Sequence, residues 1–281
     1  MARCSRRGAE SFAFAPAGGG QLDVYMLTVF TIVLNGEPWI RRILPELQKL
    51  TIPWQWRIVE GVSDPVNCTA WCRPLPSRWH DQYRSIDGTS QYLDQLRHTP
   101  GVTVTRRGGP YQGKLHMIQE ALGSGSHEVV MQIDADELWT ASQIDKIHEL
   151  LLHRQPGTAA QFFCRYFVGQ KKIVRTRGGF GSQPYEWFRA WRWGQGLQFI
   201  SHEPPRLNRA GGVIAREATE SLGLVFDHMA YATRAQACFK QDFYGYSGLC
   251  DAWDKLQQTS GMVRLGEFFT WIHDATLAGD A

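Results

Sequence analysis

Long hydrophobic runs are absent from this chain of 281 residues. The longest apolar segment, residues 24–34, is rich in β-branched side chains and is interrupted by Thr28 and Thr31. It is shorter than the roughly 20 residues that a membrane helix needs, so it predicts a buried strand instead. Charge of one sign is also scarce, because 30 Lys and Arg residues nearly balance 27 Asp and Glu residues. Bulk charge therefore indicates no polyanionic partner such as a nucleic acid.

Cysteines and export signals are sparse as well. The first 20 residues lack the continuous apolar core of a signal peptide. The six cysteines are scattered, at positions 4, 68, 72, 164, 238 and 250. Such cysteines in a large chain without an export signal favour reduced thiols. We therefore expect a cytoplasmic protein, either free or at the membrane periphery, in which residues 1–24 form a disordered leader and Met26 is an alternative start.

Strand-like and helix-like segments alternate in the first half of the chain. Strand-like segments lie at 27–34, 56–60, 102–105 and 128–133, and helix-like segments lie at 38–50, 89–97 and 115–122. This alternation predicts βαβ units, and hence an α/β fold with a Rossmann-like, mostly parallel central sheet flanked by helices. A chain of this length forms one elaborated domain or two fused halves.

The second half mixes strand-like and helical pieces without a repeat or a long linker. Capping boxes formed by Thr140 with Gln143 and by Thr233 with Gln236 predict the starts of two helices. The β-like pieces lie at 160–167, 186–193 and 222–229, and a Gly-rich stretch lies at 177–182. We expect an α+β portion that continues the first half and completes one site.

Polar side chains follow the predicted strands of the first half. Asn35, Glu60 and the pair Asp134 and Asp136 lie at such positions. Ligands bind beyond the carboxyl ends of parallel strands, at the point where the strand order reverses. Two carboxylates there repel each other unless a cation or hydrogen-bond donors neutralise them, and oxygen ligands favour Mg²⁺ or Mn²⁺. The alternative is a turn that caps the helix beginning after Thr140.

An ordered set of short segments within residues 26–140 resembles the family 2 glycosyltransferases of the GT-A fold. The segments are Thr31–Gly36, Val59–Gly61, Ser85–Thr89, Gly113–Lys114 and Ile133–Glu137. The resemblance implies that residues 25–140 bind a nucleoside-diphospho-sugar and that residues 141–281 form the acceptor-binding and catalytic half of the same domain. It also implies that the Asp-x-Asp motif at 134–136 holds a divalent metal on the diphosphate. One departure from the family pattern is an insertion of 23 residues between Gly61 and Ser85.

The resemblance implies roles for individual donor-side and metal-binding residues. Asp136 would be a direct metal ligand, and Asp134 would contact the ribose or, through water, the metal. His228, which follows an apolar strand, would bring a distal imidazole to the metal, the alternative being a core histidine. The other donor-side residues would be Asn35, Glu60, which would face the nucleoside, and Asp87, which would border the base pocket.

Glycosyl transfer also needs cations for the leaving diphosphate and a base for the acceptor hydroxyl. Lys114 at a helix start and Arg177 on the Gly-rich stretch are the candidate cations, unless each is a solvated surface charge. Glu203 is the candidate base and His202 a candidate metal or phosphate contact, in a pair that resembles the His-Glu of some relatives. Two prolines follow this pair and hold it away from a helix. A purely structural turn is the alternative.

A Trp- and Arg-rich segment at 185–193 is the candidate acceptor side. Strand alternation places Trp187, Arg189 and Trp191 on one face. Indole faces stack on sugars and attract cations, which suits a sugar platform. Such aromatic side chains also build cores, and stacked aromatics with arginines suit a single-stranded nucleic acid as well. The segment therefore does not identify the acceptor.

The leading hypothesis is a metal-dependent glycosyltransferase that uses Mn²⁺ or Mg²⁺ and a nucleoside-diphospho-sugar, with a UDP-sugar favoured. A single displacement that inverts the anomeric centre is the working mechanism. The acceptor stays open among a glycan, a lipid-linked glycan, a protein and a nucleic-acid base. A non-catalytic carbohydrate-binding protein on the same fold is an alternative. A nucleotidyltransferase is disfavoured, because residues 35–38 lack the Gly/Arg/Lys-rich loop that such enzymes place after the first strand.

Overall fold

The computed structural model describes residues 27–65, 72–125 and 127–281. The predicted leader at 1–24 and the alternative start at Met26 lie outside the described residues, as do Cys4 and Cys68. None of the helices in the described part of the chain combines the length and apolarity that crossing a bilayer requires.

The first half follows the predicted alternation of strands and helices. Its elements are β1 (Leu27–Val33), α1 (Ile43–Leu47), β2 (Trp54–Glu60), α2 (Thr89–Leu96), β3 (Val102–Arg106), α3 (Lys114–Leu122) and β4 (Val129–Gln132). Short 3₁₀ turns lie at Trp39–Arg42 and Ser77–Trp79. The predicted bounds differ from the observed ones by a few residues, as expected where helix and strand ends fray.

The second half holds shorter strands and four further helices among the described residues. Its elements are β5 (Glu137–Leu138), α4 (Ala141–Leu152), β6 (Thr158–Gln161), β7 (Phe163–Tyr166), β8 (Lys172–Val174), β9 (Phe188–Arg192), β10 (Phe199–His202), β11 (Pro205–Leu207), β12 (Gly212–Ile214), α5 (Arg216–Ser221), β13 (Val225–His228), α6 (Arg234–Tyr244), α7 (Leu249–Gln257), β14 (Val263–Arg264) and β15 (Leu277–Asp280). A 3₁₀ turn lies at Leu265–Glu267. This is the expected mixture of α and β structure.

A seven-stranded sheet forms the centre of the molecule, with strand order β12-β6-β9-β4-β1-β2-β3. Strands β4, β1, β2 and β3 are parallel to one another, as is β12 to β6, whereas β9 runs antiparallel to both β4 and β6. The predicted α/β fold with a mostly parallel central sheet is therefore confirmed. The strand order reverses between β1 and β4, which places the expected binding position there. Strand β9 belongs to the second half, so both halves of the chain share one sheet.

Strand β1 is buried on both faces, which explains its near-continuous apolar sequence. Leu27 and Val29 pack on one face of the sheet with side chains of α1, α2 and α4. Phe30 packs on the other face with Met117 and Ile118 of α3. The central sheet is thus sandwiched between helices, and its carboxyl edge stays fixed because β1 cannot shift register without exposing one of these sets.

Both predicted capping boxes are present. Thr140 accepts a hydrogen bond from the Gln143 amide at the start of α4. Thr233 accepts the equivalent bond from Gln236 at the start of α6. The second cap fixes where α6 begins, and therefore which of its side chains turn toward the sheet.

The expectation of reduced thiols throughout is wrong for one pair of cysteines. Cys238 of α6 and Cys250 of α7 are joined by a disulfide, with their Cα atoms 5.1 Å apart. Helices α6 and α7 pack against each other after a short connection, and this brings the two Cα atoms within the range that a disulfide spans. Cys164 is not in a disulfide.

Buried His127 makes the stability of the fold depend on pH. Its Nε2 lies 3.1 Å from the Leu122 carbonyl and its Nδ1 lies 2.9 Å from the Thr28 hydroxyl, an arrangement that a neutral imidazole satisfies. Burial lowers the pKa of His127 from 6.5 to about 4, and nearby Arg57 acts in the same direction. Between these two pH values the unfolded chain binds more protons than the folded one, so stability is complete above pH 6.5 and falls as the pH drops toward 4.

We expect the His127→Gln variant to lose less stability than the wild type on acidification. The proton linkage of this one group amounts to about 3 kcal/mol at most over the window, at roughly 1.4 kcal/mol per pKa unit. Urea unfolding at pH 7 and at pH 4.5 measures it. The exposed His98→Gln variant should follow the wild type. If all three proteins show the same dependence on pH, His127 is not the responsible group.

Candidate active site

A cleft of about 1120 Å³ opens at the carboxyl ends of β1 and β4, where the strand order reverses. Residues from both halves of the chain line it. They include Asn35, Asp87, Lys114, Asp134 and Asp136 from the first half, and Trp187, Arg189, His202, Glu203, His228 and Lys240 from the second. Most of the predicted site residues are therefore brought together in one place, although they are far apart in the sequence.

Asp134 is held in a fixed position directly after β4. One carboxylate oxygen accepts a hydrogen bond of 2.8 Å from Gln132, and the other lies 3.0 Å from Arg189. Arg189 is only 5% exposed and also donates to Glu137 at 2.7 Å. Burial raises the pKa of Glu137 to about 7, although Arg189 opposes the rise. Arg189 thus balances two carboxylates, the buried Glu137 and the partly exposed Asp134.

Asp136 faces a histidine and a lysine across the cleft. Its Oδ1 lies 3.4 Å from His228 Nε2, and its Oδ2 lies 3.8 Å from Lys240 Nζ. The position of His228 follows from the pairing of β13 with β5, which sets His228 opposite Glu137. Burial raises the pKa of Asp136, but His228 and Lys240 outweigh burial and hold it well below its usual value. Asp136 is therefore an ionised carboxylate beside an imidazole.

The pair of Asp136 and His228 fits one divalent cation. Two ligands that each lie roughly 2.0–2.2 Å from one ion are about 3 Å apart, close to the observed 3.4 Å. No group of three or more His, Cys, Asp or Glu side chains in the described residues could hold a metal alone. A hard cation such as Mg²⁺ commonly takes one or two protein ligands and completes its shell with water and substrate phosphates. This donor set suits such an ion better than a structural metal.

Glu203 and Lys114 form an ion pair that also lines the cleft. Glu203 follows β10 in the β10–β11 hairpin, and Lys114 is the first residue of α3. Burial raises the pKa of Glu203, but Lys114 and His202 outweigh it and hold the pKa well below the usual value. His202 Nδ1 lies 3.4 Å from the Glu203 carboxylate. The two predicted roles, base and phosphate-binding cation, thus fall on side chains that contact each other.

Several buried polar atoms of the cleft have no hydrogen-bond partner among the described residues. They are Gln132 Oε1, both ring nitrogens of His202, His228 Nδ1 and Trp271 Nε1. Buried polar groups are usually paired, and an unpaired one often marks a place that a ligand or water fills. The cleft therefore has the unmet polarity expected of a binding site.

Asn35 and Asp87 lie together at the end of the cleft near β1. Asn35 has a φ of 58°, and its side chain accepts from the Ile86 amide and donates to the Trp79 carbonyl. The Asp87 carboxylate accepts from the Glu37 amide at 2.9 Å. These bonds join the segment after β1 to the segment before α2, so both predicted donor-side residues line the cleft and shape its wall.

Trp187 lines the cleft, but not as a member of β9. Its φ of 61° places it in the left-handed region, one residue before the strand begins. Its ring meets the His228 ring edge-on, with centroids 4.8 Å apart. The prediction that strand alternation aligns Trp187 with Arg189 and Trp191 is therefore wrong, because the alternation starts after Trp187.

The predicted roles of three further residues, Trp191, Glu60 and Arg177, are wrong. Trp191 is 1% exposed and packs against Phe199 in the core, so it forms no acceptor platform. Glu60 is also 1% exposed, its carboxylate is held by Arg106 and the Ser85 amide, and it does not line the cleft.

The prediction that Arg177 supplies a cation to the diphosphate is wrong, because Arg177 does not line the cleft. Its guanidinium pairs with Glu220 and covers the Phe163 ring at 3.9 Å. Local pairing on the surface accounts for this charge, and it supplies no cation to the cleft.

Lys240 is the main cleft residue that the sequence analysis missed. It lies on α6 with Ala237 and Phe243, at a helical spacing of three residues, and these two neighbours are buried. The sequence signal for Lys240 was a single lysine among the buried positions of a helix whose start is marked by a capping box. Gln132, which holds Asp134, was missed because it lies inside a strand that looks wholly structural.

Comparisons with solved structures find similar proteins at low identity. Residues 1–349 of S. aureus TarS align with 81% of this chain and 69% of that chain, at 13% identity and a TM-score of 0.44. The same protein in complex with UDP-GlcNAc gives 14% identity over 81% of this chain and 70% of that chain, with a TM-score of 0.44. Mannosyltransferase PcManGT from Pyrobaculum calidifontis, in complex with GDP-Man and Mn²⁺, gives 19% identity over 52% of this chain and 39% of that chain, with a TM-score of 0.37.

No protein-family model matches the chain, and a search of curated proteins finds no match. The TM-scores and identities above are too low to carry an argument about activity.

Proposed function

We propose that the protein is a metal-dependent glycosyltransferase of the GT-A type, as the sequence resemblance implies. The observation that carries the proposal is the meeting of Asp136, His228, Lys114 and Glu203 in one cleft at the strand-order reversal. A cation site, a phosphate-binding ammonium and a carboxylate base are what transfer from a nucleoside-diphospho-sugar requires. The donor we favour is a UDP-sugar.

The donor side is built around the carboxyl ends of β1 and β4. Asp136 and His228 would hold Mn²⁺ or Mg²⁺, which when bound offsets the negative charge of the diphosphate. Asp134, fixed by Gln132 and Arg189, would accept a hydrogen bond from a ribose hydroxyl. Asn35 and Asp87 shape the wall where the base would lie.

Glu203 is the proposed general base. Its carboxylate accepts the proton of the acceptor hydroxyl as the acceptor oxygen attacks the anomeric carbon and the bond to the diphosphate breaks, which inverts the configuration in one step. Lys114 holds Glu203 ionised in the unliganded protein. When a diphosphate competes for Lys114, its hold on Glu203 weakens, and the carboxylate becomes a stronger base. We expect the acceptor to be a hydroxyl-bearing molecule that approaches Glu203 from the side of the cleft formed by residues 141–281.

A thermal-shift screen with UDP-, GDP-, dTDP- and CMP-sugars, each with and without Mn²⁺, tests the proposal. We expect one diphosphate donor to raise the melting temperature when Mn²⁺ is present and to have little effect without it. CMP-sugars carry a single phosphate and serve as the matched control. If no nucleotide sugar shifts the melting temperature, the proposed donor binding is contradicted. The alternative of a non-catalytic carbohydrate-binding protein would then remain.

A further inference from the structure

Building on the proposed function, we infer that Lys240 of α6 binds the diphosphate of the donor, the task that the sequence suggested for Arg177. Lys240 lines the cleft beside Asp136, whereas Arg177 pairs with Glu220 outside it. The inference assigns a second phosphate-binding ammonium to the site, on a helix of the second half.

Lys240 is fixed in place but incompletely hydrogen-bonded. Its Nζ donates to the Ala230 carbonyl at 2.7 Å and lies 4.5 Å from the centre of the Tyr231 ring. The distance of 3.8 Å to Asp136 is too long for a hydrogen bond. An ammonium has three donors, so two of them have no hydrogen-bond partner within the described residues, while its side chain is still 18% exposed to the cleft.

The charges around Lys240 leave room for an anion. Arg189 is balanced by Asp134 and Glu137, and Lys114 is balanced by Glu203. Lys240 faces Asp136, whose carboxylate is also the proposed metal ligand with His228. When a cation occupies that pair, Asp136 no longer compensates Lys240, and the ammonium needs another anion nearby.

A diphosphate is the anion that fits this position. Lys114 and Lys240 both line the cleft, together with Asp136 and His228. Two ammonium groups in one cleft can contact different oxygens of the same diphosphate. A single carboxylate has only two oxygens and pairs less well with both ammonium groups. Asp136 of the proposed metal pair lies 3.8 Å from the Lys240 ammonium. The donor's diphosphate would therefore lie between the metal and the two lysines.

The test uses inorganic pyrophosphate and uridine as probes, titrated by calorimetry in the presence of Mn²⁺. Pyrophosphate reports on the diphosphate position whatever the base of the donor is. We expect Lys240→Met to weaken pyrophosphate binding about 10- to 100-fold, the usual range for one charged hydrogen bond, and to leave uridine binding unchanged. Lys240→Arg should retain part of the affinity.

Lys255→Met is the matched control, because Lys255 is exposed on the neighbouring helix α7 and lies outside the cleft. Melting temperature and circular dichroism check that each variant folds, and Lys240→Gln repeats the test if the methionine variant does not. Equal pyrophosphate affinity in the wild type and a folded Lys240 variant overturns this inference, while the proposed function stands if a nucleotide sugar still binds. A wild type that binds neither pyrophosphate nor any nucleotide sugar overturns both.

Discussion

Replacing Asp136 by Asn is expected to lower donor turnover at least about 100-fold, while the protein remains folded under the conditions of the assay. The Asp136 carboxylate lines the cleft, with His228 at 3.4 Å and Lys240 at 3.8 Å. The substitution keeps the shape but removes the charge that would bind the metal. Release of the nucleoside diphosphate from the donor measures turnover, and urea unfolding measures stability.

Asp227→Asn is the matched control for this prediction. Asp227 is the neighbour of His228 in β13, but its carboxylate pairs with Arg165 and lies outside the cleft. Its substitution should leave turnover within about twofold of the wild type. Normal turnover in the Asp136→Asn protein would mean that the acidic motif is structural, as in the alternative of a helix-capping turn.

Replacing Glu203 by Gln is expected to lower turnover about 10²- to 10⁴-fold, the range typical of a lost general base. Donor affinity should be unchanged or higher, because Lys114 loses its partner and becomes available to the diphosphate. The combination of a lower rate with undiminished binding separates the loss of a base from a loss of structure. Turnover and donor titration on the same preparation provide both values.

Glu220→Gln is the control for the Glu203 substitution. Glu220 also pairs with a basic residue, Arg177, but on the surface. It should behave like the wild type in both measurements, since exposed ion pairs contribute about 0–1 kcal/mol. A Glu203→Gln protein that keeps its rate but loses donor affinity would show that Glu203 belongs to the donor side and is not the base.

Local sequence patterns predicted most of the central sheet. The apolar run of β1 requires burial on both faces, and the sheet provides it between α3 and the helices of the other face. The capping boxes at Thr140 and Thr233 depend on neighbours three residues away, so the sequence determines them directly. The acidic residues after β4 predicted the cleft because parallel strands end at a common edge.

Contacts between distant residues could not be read from the sequence. Arg177 and Glu220 are 43 residues apart, and nothing local shows that they pair on the surface. The partners of Arg189 lie 52 and 55 residues earlier, in the acidic motif itself. Trp191 has the same local pattern whether it faces a ligand or the core, and only the packing of Phe199 decides between them.

The disulfide and Lys240 depend on how α6 is placed. The capping box predicted the helix but not the surfaces that it would contact. Cys250 reaches Cys238 because α7 packs on α6, and Lys240 reaches the cleft because α6 crosses the carboxyl edge of the sheet. Both follow from tertiary packing, which overrides the local pattern that the sequence presents.

The most direct test of the proposed glycosyltransferase activity is the release of nucleoside diphosphate from nucleotide sugars by the wild-type protein, with Mn²⁺ and with EDTA. We expect the wild type to consume one nucleoside-diphospho-sugar when Mn²⁺ is present. Consumption should stop with EDTA and in the Asp136→Asn protein. Failure to consume any nucleotide sugar under either condition, or consumption at the same rate by the wild type and Asp136→Asn, would contradict it.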